Sequence, residues 1–294
     1  MNTTTDSKTA SSAAAPIGLL AGSGAYPLRV AAMLRERGRR IAAVAIRGET
    51  EPSLESLCDE FTWGYPTRLG PVLRFFRHHG VTQATMAGKI RLERYFRRGL
   101  WLRYPPDSWL LRAAIPFFVT RRRDCRCDSI LGTLCREFER EGVRFIPATD
   151  EIPELLVKAG LLTRREPTEA EWRDLHFGWH VARELGRLDI GQSVLVRNQT
   201  VVAIEAMEHT DQAILRAGEL CPHGGFVLVK TAKPSQDMRF DVPVIGTGTL
   251  ESMAAAGGGV IAVEADRTLL IELANGEFST MADRLGLAVV ALQK

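Results

Sequence analysis

The stretch 230–246, KTAKPSQDMRFDVPVIG, gathers Lys230, Lys233, the Gln236-Asp237 pair, Arg239 and Asp241 behind an apolar run at 226–229. Pro234 and Pro243 break any helix and hold the backbone extended or turned. A polar, stiff loop launched from a buried strand is where α/β proteins usually keep chemistry. Upstream, Glu205, Glu208, Thr210 and Asp211 supply further oxygen donors. Carboxylates such as Glu205, Asp211 and Asp241, with Asp237, suit a hard cation, which takes oxygen ligands and can clamp phosphate oxygens. Lys230 and Lys233 would neutralise the same phosphates. Glycoside hydrolysis also uses paired carboxylates, so the residue types alone do not choose the reaction. The bland alternative is a solvated loop with ordinary surface charges.

Two other constellations are weaker. Gly22-Ser23-Gly24 lies between a predicted strand and a predicted helix, where backbone N–H groups and the helix dipole can hold a phosphate. Pro27 stands where a dinucleotide fingerprint needs its third glycine, and no Gly-Lys-Ser/Thr follows. Phosphate contact and a plain tight turn both remain open there. His176 and His180 share a helix face without a third ligand nearby in sequence, and read as structural. Cys58, Cys125, Cys127, Cys135 and Cys221 have no framework spacing and read as free thiols in a reducing compartment.

These groups must be positioned by alternating elements. Strands are predicted at 17–21, 41–46 and 84–87, with helices at 26–37 and 69–78 between them. That alternation implies a parallel sheet with helices on its faces. A helix at 129–141 and a strand at 143–146 follow. Pro153 and Pro167 bracket a charged stretch that marks a domain junction. Beyond it come a helix at 169–185, a hairpin of 194–196 and 201–204, a helix at 211–217 and the strand at 226–229. A helix at 251–256, strands at 260–263 and 268–271, a helix at 277–285 and a strand at 288–292 complete the chain. The division is a disordered tail at 1–15, one domain at 16–150 and a second at 151–294.

Composition is ordinary for a globular protein, 45% hydrophobic and 25% charged, with no run long enough to span a membrane. Without a targeting signal the cytoplasm is the default. Residues 89–126 hold eleven Lys/Arg against three Asp/Glu, interleaved with Tyr95, Phe96, Trp101, Tyr104, Trp109, Phe117 and Phe118. Basic and aromatic side chains together suit an anionic membrane surface. A basic helical face with buried aromatics is the plain alternative, and nucleic acid is set aside.

Five segments, IGLLAGSGAYP, MAGKI, RLDIGQSVLV, AIEAMEHTD and KPSQDMRFDVPVIG, occur in this order from Ile17 onward. Their order and spacing resemble the LpxI family, the UDP-2,3-diacylglucosamine pyrophosphatases of lipid A synthesis. The resemblance implies an α/β fold of two domains, a Rossmann-like N-terminal parallel sheet with helices and a distinct C-terminal α/β domain, with substrate between them. It implies hydrolysis of a lipid-linked nucleotide sugar to UMP and 2,3-diacylglucosamine 1-phosphate with a divalent metal, usually magnesium. Gly24, Lys89, Ile90, Gln192 and Thr210 would lie against substrate, and Asp241 would be the essential aspartate. The implied location is peripheral, at the inner membrane, and a homodimer is left open. Two departures stand out. The family's Glu-Gly-Thr-Asp is Glu208-His209-Thr210-Asp211 here, losing glycine's backbone freedom, and a paired acidic start to a helix is Asp128-Ser129.

Around Asp241, an extended backbone would turn Phe240 and Val242 toward the core and the carboxylate toward the cleft. Pairing with Arg239, or capping the loop, is the structural alternative for Asp241. A nucleotide-sugar-binding protein without catalysis is a rival reading. A dinucleotide-dependent oxidoreductase is a weaker one, lacking both the third glycine and a clear ribose-binding acid.

Overall fold

A computed structural model describes residues 15–89, 105–112, 127–206, 208–234, 236–271 and 276–293. The first half runs β1 (Ile17–Ala21), α1 (Tyr26–Glu36), β2 (Ile41–Ile46), β3 (Glu60–Gly64), α2 (Leu69–His78), β4 (Gln83–Ala87), α3 (Cys127–Arg140) and β5 (Arg144–Phe145). The strands form one parallel sheet in the order β3-β2-β1-β4-β5. Alternation along β1 explains the two cores. Ile17, Leu19 and Ala21 join the cluster under α1, whereas Leu20 joins the cluster with Val72, Phe76 and Phe138 on the opposite face. Both faces being covered, β2 reads as an uninterrupted apolar run, IAAVAI, buried throughout.

Ala148, Ile152 and Leu155 are still buried in the first core, so the chain leaves that body after Leu155 rather than at the expected 150. The second half then runs β6 (Gly160–Leu161), α4 (Glu169–Arg187), β7 (Ser193–Arg197), β8 (Thr200–Ile204), α5 (His209–Leu220), β9 (Val227–Lys230), β10 (Val244–Gly246), α6 (Thr247–Ala255), β11 (Val260–Glu264), β12 (Leu269–Ile271), α7 (Glu277–Arg284) and β13 (Ala288–Leu292). Its sheet has the order β6-β13-β11-β9-β7-β8, with β13, β11 and β9 parallel and the flanking strands antiparallel. Helix α4 covers one face through Leu175 and Ala182; α5, α6 and α7 cover the other.

Helix α4 starts where it does because Thr168 and Glu171 form a reciprocal capping box. It approaches β9 closely through Gly178, where a Cβ would lie 2.8 Å from Val229. The hairpin between β7 and β8 turns on Asn198 and Gln199, both with positive φ, and Asp174 of α4 accepts from both turn amides at 2.9 and 2.6 Å.

The two bodies share a seam. Strands β10 and β12 pair in parallel as a separate ribbon. Leu269 is buried in the first core, with Val242 and Val244 packed against it, while Phe240 packs against the cluster on the other face of the first sheet.

Candidate active site at the meeting of two sheets

In the first sheet the connections leave β1 and β4 in opposite directions, creating the switch point where open α/β sheets take ligands at the carboxyl ends of their strands. Gly22–Gly24 follows β1, and Gly88-Lys89 follows β4. The two loops are stitched together. Gly22 N–H donates to the Ala87 carbonyl (2.8 Å), Ser23 N–H to Lys89 O (2.7 Å) and Lys89 N–H back to Ser23 O (3.1 Å). A Cβ on Gly22 would sit 2.5 Å from Lys89 O, so only glycine permits this approach. Gly24 has φ +94° with open space before it. The amides of Gly22 and Ser23 are therefore committed inside the protein, and Pro27 has none to offer. Lys89 stays exposed beside Gly24.

In the second sheet β9 ends in Lys230, buried to 5% exposure. Its ammonium donates to Thr210 Oγ1 at 2.8 Å, and the Thr210 hydroxyl donates to Glu205 Oε1 at 2.9 Å. Glu205 is also buried, and its Oε2 has no hydrogen-bond partner among the described residues. Burial, the largest influence, holds the Lys230 ammonium below the usual lysine value; Glu205, Asp211 and Asp241 pull it up, and Lys89 pushes it further down.

Residues after Lys230 are pinned to the second sheet. Thr231 N–H donates to Gln192 O (3.0 Å), and Ala232 N–H to Glu264 Oε2 (2.8 Å). Gln236 accepts from Lys233 N–H (2.6 Å) and donates to Gln192 Oε1 (3.3 Å). The Lys233 ammonium lies 2.9 Å from Asp189 Oδ1 and 3.8 Å from Asp241 Oδ2. Asp237, not Asp241, binds the Arg239 guanidinium, which holds the Asp237 carboxyl below its usual range. The expected extended backbone around Asp241 is corrected: residues 238–240 form a turn, and the amides of Phe240 and Asp241 both return to Asp237 O. A charged side chain at Asp237 drives the turn by also accepting from Arg239 N–H at 3.1 Å. Phe240 and Val242 still flank Asp241 as apolar anchors, but in the first domain's cores.

The expected cation ligands Glu205, Asp211 and Asp241 do not gather into a cage. Among the described residues no three His, Cys, Asp or Glu side chains converge on one point. Glu205 is engaged by Thr210, Asp211 is exposed and accepts from Ser252 (3.4 Å), and Asp241 sits beside Lys233. Ile90 lies outside the described residues, as do most of residues 89–126. His176 and His180 are exposed on α4, His176 stacked on Trp172. Cys58, Cys135 and Cys221 are free. Burial raises Cys58 to about 12 and Cys135 to about 11, so neither is a thiolate at neutral pH.

Family models match the whole arrangement. The LpxI N-terminal domain matches residues 16–155, and the LpxI C-terminal domain matches residues 158–290. The chain belongs to the LpxI family. A relative from Caulobacter vibrioides, named UDP-2,3-diacylglucosamine pyrophosphatase LpxI, is 30% identical over 289 residues, covering 94% of this chain and 97% of the relative.

In this LpxI chain His209 keeps the left-handed backbone, φ +70°, that a glycine would adopt more easily. The freedom expected to be lost is therefore replaced by strain at the start of α5, one residue before Thr210. His209→Gly should stabilise the protein by about 0.5–1 kcal/mol, read as a higher urea midpoint at unchanged slope. A lower midpoint would show that the histidine sits there unstrained. Asp189, in the Leu188–Gln192 segment, stands among the second-half carboxylates, and its partner is a lysine. Its own positive φ (56°) and its ion pair with Lys233 are visible only once 189 and 233 meet.

Proposed function

We propose that this chain hydrolyses the diphosphate of UDP-2,3-diacylglucosamine to UMP and 2,3-diacylglucosamine 1-phosphate. The observation that carries this reading is the relative of that name, aligned over both domains. The site is consistent with it. Lys233 lies 3.8 Å from Asp241, Lys230 ends β9 three residues before Lys233, and Lys89 follows β4 at the ligand end of the first sheet. Three cations with one carboxylate suit a dianionic bridge, whose negative charge grows on the leaving phosphate as the bond breaks.

In this proposal Gly24, Gln192 and the three lysines hold the nucleotide-sugar between the domains. Asp241 takes a proton from the attacking water as the water oxygen bonds to one phosphorus and the bridging P–O bond breaks. The electron pair of that bond leaves on the departing phosphate. Magnesium usually keeps several waters and takes one or two carboxylates plus substrate phosphates, so Asp241 alone fits it where a protein-only cage does not. Bound there, it would withdraw charge from the phosphoryl oxygens. We also propose that residues 89–126 bring the enzyme to an anionic membrane surface, on the strength of their charge.

One experiment addresses both. Purified protein and magnesium are given UDP-diacylglucosamine in neutral or phosphatidylglycerol-containing vesicles. UMP release is expected, with co-sedimentation that rises with anionic lipid and falls with salt. Binding without UMP would favour the non-catalytic nucleotide-sugar-binding reading, and equal sedimentation with both vesicles would remove the membrane contact.

A further inference from the structure

The buried chain Glu205–Thr210–Lys230 has a direction. A hydroxyl carries one proton and accepts through its lone pairs. Thr210 gives its proton to Glu205 Oε1 and receives Lys230 Nζ on its oxygen. Its donor capacity is spent, so it has no proton left for a phosphate. The lysine is in the opposite position: an ammonium has three N–H donors, and Thr210 takes one.

From this geometry we propose that Thr210 and Glu205 are positioning residues for Lys230. Glu205 fixes the orientation of the Thr210 hydroxyl, Thr210 fixes the Lys230 ammonium, and the remaining N–H groups of Lys230 meet the diphosphate. This rests on the proposed hydrolysis for the identity of the anion, but the relay itself does not.

Three further observations support it. Gly191 lets the Leu188–Gln192 turn touch the Glu205 backbone, which fixes Glu205 from behind. Glu205 N–H donates to Ser193 O (2.9 Å), and Ser193 pairs with Lys230 across the β7–β9 ladder, so both ends of the relay hang on one strand. A buried carboxylate with one oxygen unpartnered is costly, and its retention at Glu205 is explained if it holds Lys230 charged in a dry place. The charged groups acting on Lys230 are Glu205, Asp211 and Asp241, which favour the ammonium, and Lys89, which opposes it.

The test is a double-mutant cycle with an independent titration. Thr210→Val should lower kcat/KM by roughly tenfold to a hundredfold, the range for a hydrogen bond to a charged group. Thr210→Ser, which keeps both ends of the relay, should recover most of it. In a Lys230→Met background, Thr210→Val should cost no further activity, because its effect passes through the lysine. Additive losses would mean that Thr210 meets the substrate itself and would overturn the proposal. Lysine 13Cε NMR titration of Lys230 in the free protein, with melting curves to confirm folding, gives a readout that needs no turnover. Glu205→Gln and Thr210→Val should each move the Lys230 titration to lower pH, since each removes support for the ammonium. If wild type releases no UMP, the hydrolase reading fails while this titration still decides the relay. An unchanged Lys230 titration in Glu205→Gln and in whichever Thr210 variant folds would overturn it.

Discussion

Asp241→Ala is expected to fold normally and to lose hydrolysis by about a hundredfold or more, while still capturing intact UDP-diacylglucosamine. Two neighbouring structural roles are filled by other residues. Asp237 holds Arg239 and closes the turn, and Asp189 lies closer to Lys233 than Asp241 does. Removing the Asp241 carboxylate therefore leaves Phe240, Val242 and the turn in place. With 31% of its side chain exposed, Asp241 is open enough to meet a substrate, and it lies 3.8 Å from the Lys233 ammonium. Melting temperature, turnover and substrate capture should be measured on one preparation. Near-normal turnover from the folded variant would sink the catalytic assignment, and a large drop in melting temperature would show that the carboxylate is structural.

Gly191→Ala should produce the largest stability loss of any single methyl added near the site. The new Cβ would lie 1.9 Å from the carbonyl oxygen of Glu205 and 2.9 Å from its carbonyl carbon. Both contacts are with backbone, so no side chain can swing aside. Relief requires the turn before β7 to separate from the segment after β8, at a cost of about 3 kcal/mol or more. The same displacement would carry Gln192 and Glu205 away from Thr231 and Thr210. A denaturation midpoint that moves by less than about 1 kcal/mol would show that the turn relaxes freely, and that Gly191 is there for another reason.

Much of this was legible in the sequence. The alternation of short apolar runs with amphipathic helices gave β1, α1, β2, α2 and β4 nearly to the residue, because strands buried on both faces read as unbroken apolar runs. Strand β3 was missed because EFTWG lies at a sheet edge, half exposed, with a glycine whose missing side chain leaves room for Val44. Strand β10 was missed because three residues behind a proline carry no periodicity; it exists only because Leu269 brings β12 alongside. The start of α6 came out four residues late, since Thr-Gly-Thr is a poor helix beginning by propensity alone.

The site was legible as a set of residue types but not as a wiring diagram. Lys230, Thr210 and Glu205 were each picked out, Thr210 as a group meeting substrate and Glu205 as a cation ligand. Nothing in their spacing reveals that a hydroxyl between them gives its proton one way and its lone pair the other. Likewise Asp237 and Asp241 are equivalent in a string of letters, and only the turn decides which one Arg239 takes.

The seam has a consequence for inheritance. Phe240, Val242 and Val244 belong by sequence to the second domain, yet they pack against the two cores of the first. A gene fragment encoding the second domain alone would carry Lys230, Lys233 and Asp241 with their loop unseated and three partly buried apolar side chains turned further to water. The second domain is thus not a portable cassette. The two domains can be duplicated, lost or recombined only together, because the first is the mould in which the second's loop is cast.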